Sequence, residues 1–456
     1  MLFRIGLSLI LLFMFCLGCD NTSNRLVRVG NTFIYAEQVS REANALTKAI
    51  ENRLMLLDAE KTKLAETPTV KKRLEQTARK QLYYFTADKE IARKIITEED
   101  VREAYKRELY EIRMRHIFLP TSMDKKAAIE ILSSLRQRIL RGEAFTNLVR
   151  SFSRDTLTLG KGGDLGFIKY GEGDFGTEFY ENVMRMKKGF VSPPLQSEKG
   201  YHLVRVEQRR KTAIPSYDDY YDQLRQKLER SNARELNKAF QSFIDQLKKK
   251  YETKVNDDDL VHISSRVKAL KKELPKEKTI DLLRQLAAAG EKTALIHFKK
   301  KNYTLDDFIA LLEEIPSYEN LPVEEIDVFK EFLDRAIPLI LIIKYAHEKN
   351  YHKTEAFHAR MKPYREKILL EAIHQKQIED KITVEDEKLE AFFDKHKSDY
   401  IDNQDKDSET LKTDRFEEVK GRVLADYKKE KRQERQQQWL SDLKADIPIV
   451  YYEERK

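Results

Sequence analysis

Lys161-Gly162-Gly163-Asp164-Leu165-Gly166-Phe167 is the stretch whose reading decides the fold. Glycines packed this tightly mark turns that need a backbone few other residues adopt. No Lys-Ser/Thr pair and no helix opening follows them, so the stretch is not a phosphate loop. It lies inside a wider glycine-rich region, because ten of the 15 glycines fall between Gly142 and Gly200. Upstream, Arg113-Met114-Arg115-His116-Ile117-Phe118-Leu119 is a β-type run carrying a histidine among apolar residues. A helix follows with Ala128, Ile131, Leu135 and Ile139 on one face. A second helix carries Phe145, Leu148, Val149 and Phe152 and ends at Ser153-Arg154-Asp155. Downstream come Phe175 to Phe179, Met186-Lys187-Lys188-Gly189 and Gly200-Tyr201-His202-Leu203-Val204-Arg205-Val206. A compact, turn-rich α/β domain is therefore expected within a chain that is otherwise poor in glycine.

The ordered set Arg-His-Ile, Ser-x-Asp, Gly-Gly-Asp-Leu-Gly, Glu-Phe and Gly-Tyr-His resembles the parvulin (PpiC-type) rotamase domain. The resemblance implies a four-stranded antiparallel sheet with helices over residues 113–209, and peptidyl-prolyl cis-trans isomerase activity. It places a central histidine pair at His116 and His202, and the acidic residue that faces the pair at Asp155. It places the proline-binding pocket at Leu165, Phe175 and Phe179, and a polar group beside the substrate amide at Ser197. Phe175 stands where Met is commoner in the family. The short Pro120–Asp124 connection lacks a basic cluster, so phospho-Ser/Thr specificity is not expected. More loosely, the helical remainder resembles the SurA/PrsA-type chaperone-isomerases. The resemblance then implies a foldase for exported proteins. The alternative is a non-catalytic holdase or assembly lipoprotein whose parvulin domain only binds peptides.

Outside the glycine-rich region the chain repeats itself. Glu51–Glu60 corresponds to Pro338–His347, Ile95–Val101 to Thr383–Leu389, and Val29–Val39 to Phe298–Phe308. Ser216–Tyr220 corresponds to the run from Asp414 to Val419, and Phe240 falls on Trp439. Between the flanks, the first copy holds the glycine-rich domain, whereas the second holds only the polar loop Ile401 to Thr413. The expected fold class is thus α+β: a parvulin-like domain inserted in a mainly α-helical chaperone frame that is duplicated. The expected divisions are a lipoprotein signal peptide over 1–18 and an N-terminal helical segment over 19–112. The rotamase domain at 113–209 follows, then a completing helix and strand at 210–256. Linker helices at 257–294 lead to a second frame at 295–456, read as a client-binding or dimerising module without a catalytic site.

Arg4 followed by the apolar run Ile5 to Leu17 reads as an export signal, too short for a comfortable membrane span. It closes at Cys16-Leu17-Gly18-Cys19, which resembles a bacterial lipoprotein signal with Cys19 as the lipidated residue. Cleavage there leaves one cysteine and no internal disulfide. The expected location is the extracytoplasmic side of a bacterial envelope. The expected partners are unfolded exported polypeptides, the membrane through the lipid on Cys19, and a second copy as a homodimer option.

Lys and Arg total 85 against 77 Asp and Glu, but the signs are interleaved along helices, which suits solvated faces better than a nucleic-acid surface. His347-Glu348 with His352 has one residue too many for a His-Glu-x-x-His zinc helix, and no serine sits in a Gly-x-Ser-x-Gly setting. Neither a metal nor a cofactor is expected.

Overall fold

The computed structural model describes residues 24–39, 42–291, 293–313, 316–400 and 411–452. The signal segment, Cys19 and most of the Ile401–Thr413 loop lie outside them. The chain forms two compact units, one of residues 87–246 and one joining the residues up to 86 with those from 247 onward.

In the long unit, strands β1 (Arg25–Val29) and β2 (Thr32–Tyr35) lead into helices α1 (Ala45–Lys61) and α2 (Pro68–Ala87). The middle unit opens with α3 (Arg93–Ile95) and α4 (Glu98–Glu108). Thr97 caps α4: its hydroxyl accepts from the Asp100 amide, and its own amide donates to the Asp100 carboxylate at 2.8 Å. Then come β3 (Tyr110–Pro120), α5 (Lys125–Leu140), α6 (Phe145–Phe152), α7 (Thr156–Leu159) and β4 (Asp164–Lys169). They are followed by α8 (Thr177–Arg185), β5 (Leu195–Gln196), β6 (Gly200–Lys211), α9 (Tyr217–Ser231) and α10 (Ala233–Tyr251).

The four strands of the middle unit form an antiparallel sheet in the order β4-β3-β6-β5. Side chains alternate across it. Ile117, Leu119, Tyr201 and Leu203 bury against α5 and α6, while Ile112, Met114, Val204 and Val206 bury against α8. The same alternation puts His116 and His202 on the α8 side. Backbone closeness dictates two of the motif glycines. A Cβ on Gly163 would collide with the His116 carbonyl oxygen, and one on Gly200 with that of Leu119. Asp164 of the same motif ties β4 to β3 by binding Arg113 at 2.6 Å, with Arg115 at 3.4 Å.

The long unit continues with β7 (Lys254–Val255), α11 (Asp257–Glu273), α12 (Thr279–Ala288), β8 (Ala294–His297), β9 (Tyr303–Thr304) and α13 (Leu305–Leu312). After these come α14 (Ile326–Glu348), α15 (Glu355–Gln377), α16 (Asp386–Lys395), α17 (Leu411–Asp446) and β10 (Ile449–Tyr451). Residues 257–294, read from sequence as linker helices, bury Leu260, Ile263, Val267, Leu282 and Leu283 in a core.

The duplication is present, and the two copies exchange parts. The first sheet runs β10-β1-β2 and the second β7-β8-β9, so the last strand of each copy completes the sheet of the other. The registers agree: Val27 sits between Tyr451 and Ile34, as Ile296 sits between Val255 and Tyr303. The helices do likewise. Leu56, Ala59 and Val70 of the first copy bury with Leu369 of the second. Their counterparts Ile343, Ala346 and Phe357 bury with Leu82 of the first. The buried Asp58 of the first copy accepts hydrogen bonds from Gln377 and Trp439 of the second, each at 3.0 Å. Flanking the four-stranded sheet domain in the chain, Val101, Tyr220 and Leu224 form one small core, and Leu389, Val419 and Val423 form its equivalent.

Neither copy therefore holds a complete sheet of its own. Leu54→Ala and its counterpart Leu341→Ala, both fully buried, should each cost about 2–5 kcal/mol. Because the cores are shared, each should lower one common unfolding transition of the long unit, read by the fluorescence of Trp439. Two separate transitions, each moved by only one substitution, would show independent halves.

Candidate active site

The site is built on the two longest strands of the middle unit. In the register of β3 with β6, His116 faces Val204 and Phe118 faces His202, so the histidines are diagonal neighbours on one face. Their Nδ1 atoms lie 3.1 Å apart, and both residues are buried. His116 Nε2 reaches Asp155 Oδ2 at 2.8 Å, and His202 Nε2 reaches Ser197 Oγ at 2.8 Å. The Thr158 hydroxyl donates to Asp155 Oδ2 at 2.5 Å.

Local structure places each member. Ser153 leaves α6 and accepts the Phe118 amide at 3.1 Å, while the Arg154 amide donates to the Phe118 carbonyl at 2.8 Å. These bonds extend the sheet by one short segment and deliver Asp155 beside His116. Asp155 also caps α7 by accepting from the Leu157 amide. Ser197 opens the tight turn into β6 and accepts the amides of Lys199 and Gly200 at 3.2 Å.

The proton positions follow by elimination. Burial lowers the pKa of both histidines, that of His202 to about 3, with the neighbouring His116 adding to the effect. Burial pushes the Asp155 carboxyl up, but the bonds from Thr158 and His116 outweigh it and hold it below the usual range. An ionised carboxylate only accepts, so His116 carries its proton on Nε2 and its Nδ1 is bare. His202 must then donate from Nδ1, leaving its Nε2 to accept from Ser197. The chain of donors runs one way, from Ser197 through His202 and His116 to Asp155.

Aromatic rings enclose its centre. Phe118, Phe179 and Phe175 lie 5.0, 5.2 and 5.5 Å from the His202 ring. Phe175 stacks on Phe179 at 4.6 Å. Phe179 is buried, whereas Phe175 and Leu165 are half-buried and pack against the same α8-side core.

The structure thus joins His116, Asp155, His202 and Ser197 in one network, and packs Phe175 and Phe179 against it. Leu165 sits at the margin of the same apolar cluster. The Ser197 hydroxyl, read from sequence as a group beside the substrate amide, is buried and engaged by His202. Sequence reasoning missed Thr158 and Phe118. Thr158 had one legible signal, its place three residues after an Asp that caps a helical turn.

Residues 116–208 match the model of the rotamase family described as the PPIC-type PPIASE domain. The chain carries a PpiC-type rotamase domain. Over 187 residues it is 32% identical to a protein of Bacillus cereus named foldase protein PrsA 2, covering 41% of this chain and 60% of that one. Over 145 residues it is 34% identical to the chaperone SurA of Aromatoleum aromaticum, covering 31% of each. A solved PpiC-type isomerase domain is 23% identical, covers 24% of this chain and 98% of its own, and superposes with a TM-score of 0.22. The chain spans about three fifths of the PrsA relative and under a third of the SurA relative.

The excluded protons give a stability signature. An unfolded histidine binds a proton below about 6.5, but folded His202 does so only near 3, so stability rises with pH across that window. The depressed Asp155 acts in the same direction at the acid end. Melting of the 87–246 unit, followed by circular dichroism, should rise between pH 4 and 6.5, and His202→Phe should flatten the slope. An unchanged slope in that variant would contradict a neutral, buried His202.

Proposed function

We propose that the chain is a peptidyl-prolyl cis-trans isomerase that assists folding of exported polypeptides. The observation that carries the reading is the one-way network Ser197–His202–His116–Asp155 beside the Phe175–Phe179 stack. Rotation about the X-Pro bond must overcome about 18–20 kcal/mol of lost amide resonance. No nucleophile is needed. The twisted amide is less dipolar than the planar one, so an apolar wall of Leu165, Phe175 and Phe179 favours it over the solvated ground state. His116, His202 and Asp155 hold that wall in shape and present no charged imidazolium to the bond. Uncatalysed exchange takes tens to hundreds of seconds, slow enough to limit folding.

The export reading rests on the Ile5–Leu17 apolar run and the Leu17-Gly18-Cys19 junction, which support lipidation of Cys19 and an extracytoplasmic position. Among the described residues no helix is long and apolar enough to cross a membrane. A holdase contribution from the long unit is favoured by its size, since a catalytic domain needs no duplicated frame of this extent.

A protease-coupled Xaa-Pro peptide assay on the full chain tests the activity. Phe179→Ala and Asp155→Ala should each lower kcat/KM by about tenfold or more, roughly 1.4 kcal/mol of transition-state stabilisation. A folded chain with no rate above background would sink the catalytic reading and leave the peptide-binding alternative. Separately, Cys19→Ser should abolish incorporation of labelled fatty acid in a bacterial host, and retained labelling would refute that anchor.

A further inference from the structure

Six lysines converge at one corner of the second copy, where the β8–β9 hairpin meets the ends of α10 and α14. Lys299, Lys300 and Lys301 form the hairpin; Lys250, Lys344 and Lys349 come from the helices. Lys344 is half-buried, with its ammonium 5.0 Å from the Phe298 ring centre and 5.4 Å from that of Tyr251. Lys250 lies 5.0 Å from the Tyr345 ring. Two carboxylates answer them. Glu252 pairs with Lys299 at 2.9 Å and Glu348 with Lys250 at 2.8 Å. Among the described residues, Lys300, Lys301 and Lys344 have no carboxylate within ion-pair distance. Burial, and after it the positive charge of Lys301 and Lys300, lowers the pKa of Lys344, opposed by Glu348.

The first copy serves as an internal control. By the shared registers, Leu57 stands where Lys344 does, Ile447 where Tyr251 does, and Asp446 where Lys250 does. The hairpin there carries Gly30, Asn31 and Thr32 in the places of Lys299, Lys300 and Lys301, and a Cβ on Gly30 would lie 3.3 Å from Leu57 and 3.5 Å from Ile447. The frame therefore closes this corner with apolar contacts and needs no charge. Beyond the two ion pairs and the ring contacts, the second copy adds Lys300 and Lys301 beside Lys344 with no carboxylate to answer them, which is expected where an anion is bound.

We propose that this corner docks acidic, extended segments of client polypeptide. The inference rests on the reading that the chain handles unfolded polypeptides, and it names the class of segment preferred. Charge complementarity selects an anion. The setting of Lys344, half-buried beside the Phe298 and Tyr251 rings, favours a carboxylate carried on a single flexible strand over the face of a flat bilayer. The rings then take the aliphatic parts of the same segment.

Binding of a fluorescein-labelled Glu/Ser peptide to the full chain, by anisotropy, tests this against a Gln/Ser peptide and against vesicles of phosphatidylcholine with phosphatidylglycerol. The acidic peptide should bind, the neutral one should not, and binding should weaken steeply between about 50 and 200 mM salt. The variant Lys300→Gln/Lys301→Gln/Lys344→Leu, which installs the first copy's leucine, should bind about tenfold more weakly with an unchanged melting curve. If that variant melts early, Lys300→Gln/Lys301→Gln alone, confined to the hairpin, should still weaken binding about threefold. Equal binding by the variants, or a preference for vesicles over the acidic peptide, overturns the proposal. Isomerase assays on the same preparations separate the readings: lost catalysis with peptide binding intact counts against the earlier function, not this site.

Discussion

Two imidazole nitrogens 3.1 Å apart, buried on one face of a sheet, can share only one proton. That constraint organises the middle unit. Asp155 fixes which nitrogen of His116 is protonated, and the choice passes through His202 to Ser197. Each partner is delivered by a different element: β3, β6, the turn before β6, and the segment between α6 and α7. The network therefore closes only when the sheet, its close-packed glycines and the Ser153 bonds are all in place. It also keeps the site free of positive charge, which suits the proposed isomerisation, where the polar ground state must lose to a less polar twisted amide.

The long unit follows a different logic. A two- or three-stranded sheet with strands this short is marginal in isolation. The chain meets that weakness by exchange, giving each copy's terminal strand and second helix to the other. Because the rotamase domain sits between helices of the first copy, its insertion leaves the exchanged cores intact. The second copy closes the same place with helices α16 and α17 around Phe393 and Phe416. The duplication also exposes what is not demanded by folding, as the contrast between Leu57 and Lys344 illustrates.

Much of this was legible in the sequence, for physical reasons that also mark the limits. His116, Asp155 and His202 stand in an ordered motif set, and the structure hydrogen-bonds His116 to both of the others. The repeat was visible because buried positions recur with helical spacing. Strand exchange was not, since Lys254–Val255 and Ile449–Tyr451 are too short to signal a partner and pair with strands remote in sequence. Matching Phe240 to Trp439 also missed by about one helical turn. Copy one breaks its helix at Asn232, between α9 and α10, whereas α17 runs unbroken. Leu228 thus answers to Tyr427 before the break, but Leu247 answers to Leu443 after it. A slip of one turn keeps the apolar face, so periodicity alone could not detect it. Thr158 and Phe118 escaped because their roles depend on where Asp155 and His202 end up, not on local pattern.

The chemistry of the site turns on the protonation of the histidine pair, and nitrogen-15 NMR of the imidazoles reads it directly. At pH 7 both rings should be neutral, with His116 protonated at Nε2 and His202 at Nδ1, and neither should titrate before the domain begins to unfold in acid. A charged imidazolium near neutral pH, or a proton on Nε2 of His202, would contradict the one-way network from which the site's chemistry is argued.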